Sequence, residues 1–391
     1  MIRGIQKGLG VSKKSMPGLL TSMAKASINH GNGGFAAIVQ LTSTSDKISN
    51  FTRVKRLIED AVLNHKAKVV FLPEGFDFIG ESTTQTLQLA ESIDGPLISQ
   101  YKSLARELKV SLSLGGFHNA GSEITTEETR KIMNTHIFIN GDDGEIVGNY
   151  SKTHLFDVEI PEKGVQLKES DYVKGGNNIC SPIGTEIGRI GLGVCYDLRF
   201  PELSLAMARQ NPSFGSADIL TFPSAFTVPT GSAHWEVLLR ARAIENQCYV
   251  IAAAQSGAHN KKRSSYGHSM IIDPWGSVIA QCSEGEGVAS AYINLDYLEK
   301  VRKNMPVWAH RRNDIYSLVL ENEVHIPEIQ LNNDEIRVTS IENQSFGCFS
   351  IPKEEIVMVS RHSYVTVNLK PVVPLHILVI PKKQVGYKAL R

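Results

Sequence analysis

At 391 residues the chain has room for one large domain and a smaller unit. Its 41 Lys plus Arg nearly balance 40 Asp plus Glu, so no overall field draws it to nucleic acid or to an anionic membrane. Five scattered cysteines with no Cys-x-x-Cys exclude a dense disulfide framework and a zinc knuckle, and no apolar run is long enough to span a bilayer.

Residues 1–32 form a basic leader: Arg3, Lys7, Lys13, Lys14 and Lys25 precede the first acid, Asp46. This composition fits a mitochondrial transit peptide and equally a leader with no address, so the expected location is cytoplasmic or mitochondrial. A Gly-rich joint, Gly31 to Gly34, precedes a first strand at Ala36 to Leu41. Ile48, Phe51, Val54, Ile58 and Val62 then recur at helical spacing, and a second strand follows at Lys68 to Leu72. Leu97, Ile98, Tyr101, Leu104 and Leu108 mark another helix, with strands at Val110 to Leu114 and His136 to Ile139. Later strands are Ile190 to Val194, Ile219 to Phe222, Tyr249 to Ala254 and Met270 to Ile272; helices follow Pro201 and run from Ser232 to Asn246. Near-continuous apolar strands alternating with helices predict an α/β domain with sheets covered on both faces, spanning 33–322. A polar linker at 323–338 leads to a strand-rich unit, 339–391, with candidate strands at Val365 to Val367 and Ile377 to Ile380.

Three residues at or near strand ends stand out. Cys195 follows the apolar run Ile190 to Val194 and precedes a polar cluster and a Pro201-led helix, where α/β folds place reactive groups. Glu74 ends the strand Val69-Val70-Phe71-Leu72-Pro73, where partial desolvation is expected to raise its pKa toward the range of a general base. Lys152, in Tyr150-Ser151-Lys152-Thr153-His154, would stabilise a thiolate and later an oxyanion. Each alone has an ordinary reading: a core thiol, as expected for Cys180, Cys248 and Cys282, an exposed acid, a solvated lysine. Glu169 is a second acid of the same kind, and a structural role suits His154 better than that of a base.

Phe71-Leu72-Pro73-Glu74, the run Tyr150 to Asp157 and Gly193-Val194-Cys195-Tyr196-Asp197 make residues from about 35 to 320 resemble the nitrilase superfamily of carbon–nitrogen hydrolases. The resemblance implies an α-β-β-α sandwich, a catalytic triad of Glu74, Lys152 and Cys195, and a supporting role for Glu169 in positioning substrate and base. Pro223 to Phe226, His234 to Glu245, Ser265 to Ser269 and Asp273 to Gly276 resemble the branch that acts on deaminated glutathione, with ammonia as the expected leaving group. Arg199, Thr230 and Arg240 are candidate partners for substrate carboxylates. The partner implied is a small-molecule amide, with no nucleic acid, membrane, metal or organic cofactor, and a homodimer or homotetramer is implied by the family. An amidase for another ω-amide and a scaffold whose tail drives assembly are the rival readings.

In the tail, Asn368-Leu369-Lys370-Pro371-Val372-Val373-Pro374 and His376 to Val379 resemble the first part of a Fhit-type histidine-triad domain. Nit-like and Fhit-like domains in this order are the arrangement of NitFhit-type fusion proteins. The resemblance implies a partial, truncated α+β histidine-triad domain in which Asn368 and His376 match nucleotide contacts. That family's nucleophile is the central imidazole of His-x-His-x-His, yet no two of the 12 histidines here are two apart, and Leu375 stands where Gly is usual. Hydrolysis of dinucleoside polyphosphates is therefore not expected of this chain.

Overall fold

The computed structural model describes residues 33–121, 131–160, 165–209 and 215–318, together with five strands between residues 344 and 381. The basic leader, the linker 323–338, Cys348, Asn368 and His376 lie outside the described residues. The chain divides into two compact units, Met1–Leu320 and Glu321–Arg391.

The first unit contains two six-stranded sheets. Its strands are β1 (Gly33–Gln40), β2 (Val69–Leu72), β3 (Ser111–Asn119), β4 (Met133–Ile139), β5 (Ile146–Ser151), β6 (Asp157–Ile160), β7 (Val165–Lys168), β8 (Ile183–Thr185), β9 (Gly188–Leu192), β10 (Ile219–Thr221), β11 (Tyr249–Ala252), β12 (Ser256–Ala258), β13 (Ser264–Tyr266), β14 (Met270–Ile272), β15 (Val278–Gln281) and β16 (Gly287–Asn294). The helices are α1 (Lys47–Leu63), α2 (Thr83–Leu89), α3 (Pro96–Leu108), α4 (Pro201–Arg209), α5 (Val228–Asn246) and α6 (Leu295–Asn304). One sheet has the order β16-β1-β2-β3-β4-β5 and the other β15-β14-β11-β10-β9-β8; β6–β7 and β12–β13 are separate hairpins. In each sheet three neighbouring strands run parallel, β1-β2-β3 and β9-β10-β11, and helices make the crossovers between them.

The alternation along each strand explains the layers. In β1 and β2, Ala36, Ile38, Val69 and Phe71 join a core with Ile190, Leu192, Ile219, Leu220 and Trp235 of the second half. Their neighbours Ala37, Val39, Val70 and Leu72 face the other way, onto Val54, Ile58, Leu97, Tyr101 and Leu104 of α1 and α3. Successive side chains on a strand point to opposite faces, so a sheet apolar on both faces is buried on both. This is the expected α-β-β-α sandwich. Among the described residues no helix is long and apolar enough to cross a membrane.

The local differences from the sequence reading have physical causes. Gly33 and Gly34 belong to β1 rather than to a joint, because they pair with Asn294 and Ile293 of a strand some 260 residues away. The α1 stripe is shifted: Ile48 is 81% exposed, while Asn50 is buried and bonds the carbonyls of Thr44 and Asp77 at 2.8 and 2.9 Å. Helix α5 starts at Val228 rather than Ser232, since Thr227 caps it by accepting from the Thr230 N–H and Pro229 fits the first turn. Cys248 and Cys282 are core thiols, whereas Cys180 is only half-buried.

The second unit contains a two-stranded hairpin, β17 (Gln344–Phe346) with β18 (Phe349–Ile351). It also contains an antiparallel sheet of β19 (Ile356–Val359), β20 (Ser363–Val367) and β21 (Ile377–Pro381), with β20 central. The two tail strands expected from the sequence fall in β20 and β21.

Candidate active site

Each site residue sits just beyond a strand, where backbone direction is fixed by the sheet but the side chain is free of the ladder. Glu74 follows β2, Lys152 follows β5, and Glu169 opens a single 3₁₀ turn after β7. Cys195 opens another 3₁₀ turn, Cys195–Arg199, between β9 and α4. Its φ of +46° lies in the left-handed region, which non-glycine residues rarely occupy, so the nucleophile candidate is held in a strained turn.

The two sheets approach closely here because two glycines allow it. The β3–β4 register shifts between Leu114 and Phe117, at Gly115 and Gly116. A Cβ on Gly115 would lie 2.0 Å from Pro223 Cβ, and one on Gly116 (φ +65°) would lie 2.6 Å from Glu74 Cγ. A side chain at Gly115 would force Pro223 away, and one at Gly116 would displace Glu74.

Glu74, Lys152, Glu169 and Cys195 are brought together. Lys152 Nζ lies 3.3 Å from Glu74 Oε1 and 2.8 Å from Glu169 Oε2. Asn134 Nδ2, from β4, donates to Glu74 Oε1 at 2.8 Å, and the Ala225 N–H donates to Glu74 Oε2 at 3.0 Å. Glu169 is fixed in turn by the Phe156 N–H at 2.7 Å. Cys195 and Glu74 line the same cavity, and each perturbs the other's ionisation. Lys152 is 2% exposed and Glu74 8%, so these charges are almost wholly removed from water.

Their electrostatics correct one expectation. Burial pushes the Glu74 carboxyl up, but Lys152, Cys195, Arg263 and Asn134 together hold it below its ordinary value. Burial was the only influence legible along the chain; the compensating groups come from four other segments. Burial also pushes the Cys195 thiol well up, aided by the negative charge of Glu74 and opposed by Lys152. Lys152 is held strongly protonated: burial works against its charge, but Glu74 and Glu169 outweigh it. At rest Glu74 is thus a carboxylate, Lys152 an ammonium and Cys195 a neutral thiol, and a preformed thiolate would add a further buried negative charge.

A second network joins the lysine loop to the cysteine turn. Asp197, fully buried, accepts from the Val194 N–H at 3.0 Å and from Tyr150 Oη at 2.9 Å. It also accepts from the His154 N–H at 3.1 Å and meets His154 Nδ1 at 2.7 Å. The His154 ring stacks on Phe200 at 3.7 Å between centroids. His154 therefore braces the turn rather than facing the thiol.

The cluster opens into a cavity of about 700 Å³. Arg199 and Thr230 line it, as does a group sequence reasoning missed: Tyr196, Phe226, Lys262 and Arg263. Arg199 lies 5.5 Å from the Phe226 ring centroid and meets His234 Nδ1 at 3.3 Å. Arg240 does not line the cavity; its guanidinium bonds the Gly276 carbonyl at 2.8 Å and Glu236 at 3.3 Å. It lies beyond the cavity-facing start of α5, which spacing along the chain did not reveal. Asn134 and Asp197 carried no separate signal in the sequence, since a polar residue inside an apolar strand, or in a polar cluster beyond one, reads equally as an exposed one.

Known proteins are similar to this chain over most of its length. Residues 35–303 match the carbon-nitrogen hydrolase family model. The chain is 47% identical over 351 residues to the nitrilase and fragile histidine triad fusion protein NitFhit of Caenorhabditis elegans, covering 90% of this chain and 74% of that protein. It is 52% identical over 280 residues to the human deaminated glutathione amidase, covering 72% of this chain and 83% of that one. The crystal structure of the C. elegans NitFhit protein superposes with a TM-score of 0.69 at 46% identity, over 90% of this chain and 80% of that chain.

Proposed function

This chain belongs to the carbon-nitrogen hydrolase family, and we propose that it is an amidase for deaminated glutathione, with Cys195 as nucleophile, Glu74 as general base and acid, and Lys152 as oxyanion donor. The observation that carries the reading is the buried 3.3 Å contact of Glu74 with Lys152, in one cavity lining with Cys195. Relatives about half identical to this chain carry the name deaminated glutathione amidase.

As Sγ of Cys195 attacks the amide carbonyl, its proton passes to Glu74, so that no free thiolate accumulates in the buried site. The oxyanion is received by Lys152 and by the backbone N–H of Tyr196; the N–H of Cys195 is committed to the Pro223 carbonyl at 2.9 Å. A preorganised donor of this kind is worth roughly 3–4 kcal/mol. Collapse expels the amine, which takes the proton from Glu74 and leaves a thioester on Cys195. Water, deprotonated by Glu74, then attacks the thioester, and the proton returns to the departing sulfur. Glu169 and Asn134 hold Lys152 and Glu74 in place through both steps.

The leaving group expected from the sequence, ammonia, is corrected by the substrate's chemistry. Deaminated glutathione has no primary amide; cleaving the bond to its 2-oxo acid end releases the amine of cysteinylglycine. Arg199 and Thr230 line the cavity, which supports them as partners for the 2-oxo acid carboxylate. Exposed Val237, Ile244 and Trp275 suit an assembly of two or four copies, and the basic leader suits a mitochondrial as well as a cytoplasmic location.

The test is release of cysteinylglycine and a 2-oxo acid from deaminated glutathione by the purified protein, with intact glutathione as the comparison. Cys195→Ala is expected to lower turnover by about 10⁴-fold or more with the fold intact by circular dichroism. Turnover surviving in that variant would sink the nucleophile assignment.

A further inference from the structure

The chemistry uses only the floor of the cavity, and the rest of its lining carries charges that the reaction leaves idle. Outside Glu74, Lys152 and Glu169 the wall presents four cations, Lys168, Arg199, Lys262 and Arg263, against two acids, Glu81 and Asp171, a net charge of +2. Such a rim favours an anionic substrate over a neutral one.

The cations stand on different walls. Arg199 belongs to the Cys195 turn and lies over the Tyr196 and Phe226 rings. Lys262 and Arg263 lie in the loop between β12 and β13, whose backbone is fixed: both N–H groups donate to Asn260 Oδ1, at 2.9 and 3.0 Å. The Arg263 carbonyl also accepts from the His259 N–H at 2.9 Å. Both side chains are exposed, and among the described residues neither forms a hydrogen bond or ion pair. Arg263 also lines a small chamber directly against Glu74, which Arg199 does not. Its positive charge is felt by Glu74.

The position of Glu74 decides which half of the substrate meets which wall. The departing amine takes its proton from Glu74, so the leaving half must extend along the wall nearest that carboxyl. We propose that Arg263, assisted by Lys262, is a subsite for a carboxylate on the leaving-amine half of the substrate, such as the terminal carboxylate of cysteinylglycine. This deepens the amidase reading above and rests on it. The reaction itself is unchanged: the subsite holds an anion and takes no part in bond making.

The experiment compares deaminated glutathione with the same compound carrying a C-terminal carboxamide, at pH 8, where Glu74 is ionised. In the wild type the free carboxylate should raise kcat/KM about tenfold, the scale of a charge-assisted contact at a solvent-exposed site. Arg263→Gln should remove most of that preference, lowering kcat/KM for the free acid far more than for the carboxamide, and Lys262→Gln should remove a smaller part. Arg199→Gln should instead weaken both substrates alike. A wild-type ratio near one, or a ratio unchanged in Arg263→Gln, overturns the subsite. Should the wild type turn over neither compound, the amidase reading fails, and calorimetric binding of the two compounds to Cys195→Ala decides the subsite separately. A tenfold preference for the free acid that Arg263→Gln abolishes upholds it; equal affinities overturn it.

Discussion

The two sheets supply different chemistry to one site. The β1-side sheet delivers the charged, proton-handling groups: Glu74 beyond β2, Asn134 on β4 and Lys152 beyond β5. The β9-side sheet delivers the Cys195 thiol, the proposed nucleophile, beyond β9 and, beyond β10, the Ala225 N–H that fixes Glu74. Neither half is complete: without Cys195 the first is a buried salt bridge, and without Glu74 the second is a protonated thiol. Among the contacts that couple them are the Glu74–Ala225 bond at 3.0 Å and the Asp197 network that ties the β5 loop to the cysteine turn. In the proposed mechanism the sandwich is itself the catalytic device, because it holds a buried carboxylate and a thiol in one cavity lining.

Breaking the charged half should cost most. Lys152→Met leaves Glu74 and Glu169 buried together without their cation, and an uncompensated buried charge costs about 3–5 kcal/mol. Denaturant unfolding should show that loss, and turnover should fall by about 10²–10³-fold as an oxyanion donor disappears. A Lys152→Met protein as stable as the wild type would mean that the lysine does not offset a buried charge here.

Breaking the coupling should cost less. Asp197→Asn preserves shape but turns one acceptor oxygen into a donor facing the Val194 N–H, Tyr150 Oη or His154. About 1–3 kcal/mol of stability should be lost, and kcat should fall about tenfold with little change in KM. A full loss of activity with unchanged stability would instead place Asp197 in the chemistry itself.

The pH profile sharpens the comparison without any substitution. Glu74 is held below its ordinary 4.5, so the active carboxylate persists, and the acid limb of kcat/KM should lie below pH 4.5. The stability it contributes is present above that value and is lost as pH falls through its lower folded pKa. The Cys195 thiol is pushed above its ordinary 9.0, so kcat/KM should be flat from about pH 6 to 9, with no rise from thiol ionisation. A sigmoidal rise inside that window would show a preformed thiolate–lysine pair instead.

Arg240→Gln should have the smallest effect, since this side chain bonds the Gly276 carbonyl and an exposed Glu236 away from the cavity. Stability should change by about 0.5 kcal/mol or less and kcat/KM should not move. A marked rise in KM would return Arg240 to the substrate site and redraw the cavity wall.

Sequence alone determined the parts whose cause is local. Apolar runs such as Val69 to Leu72 and Ile190 to Leu192 are strands because both faces must be buried, and Pro201 opens a helix because its missing N–H costs nothing there. The strand-end positions of Glu74, Lys152 and Cys195 were legible for the same reason, and their order along the chain resembled a known family. Only the tertiary structure decided what depends on residues far apart. It paired Gly33 with Asn294, set Asn134 and Ala225 on Glu74, and buried Asp197 between two loops. It also took Arg240 out of the cavity and brought Arg263 in. It reversed the expected direction of the Glu74 shift as well, because burial is a property of one residue's surroundings, whereas the charges that offset it arrive from Lys152 and Arg263, 78 and 189 positions along the chain.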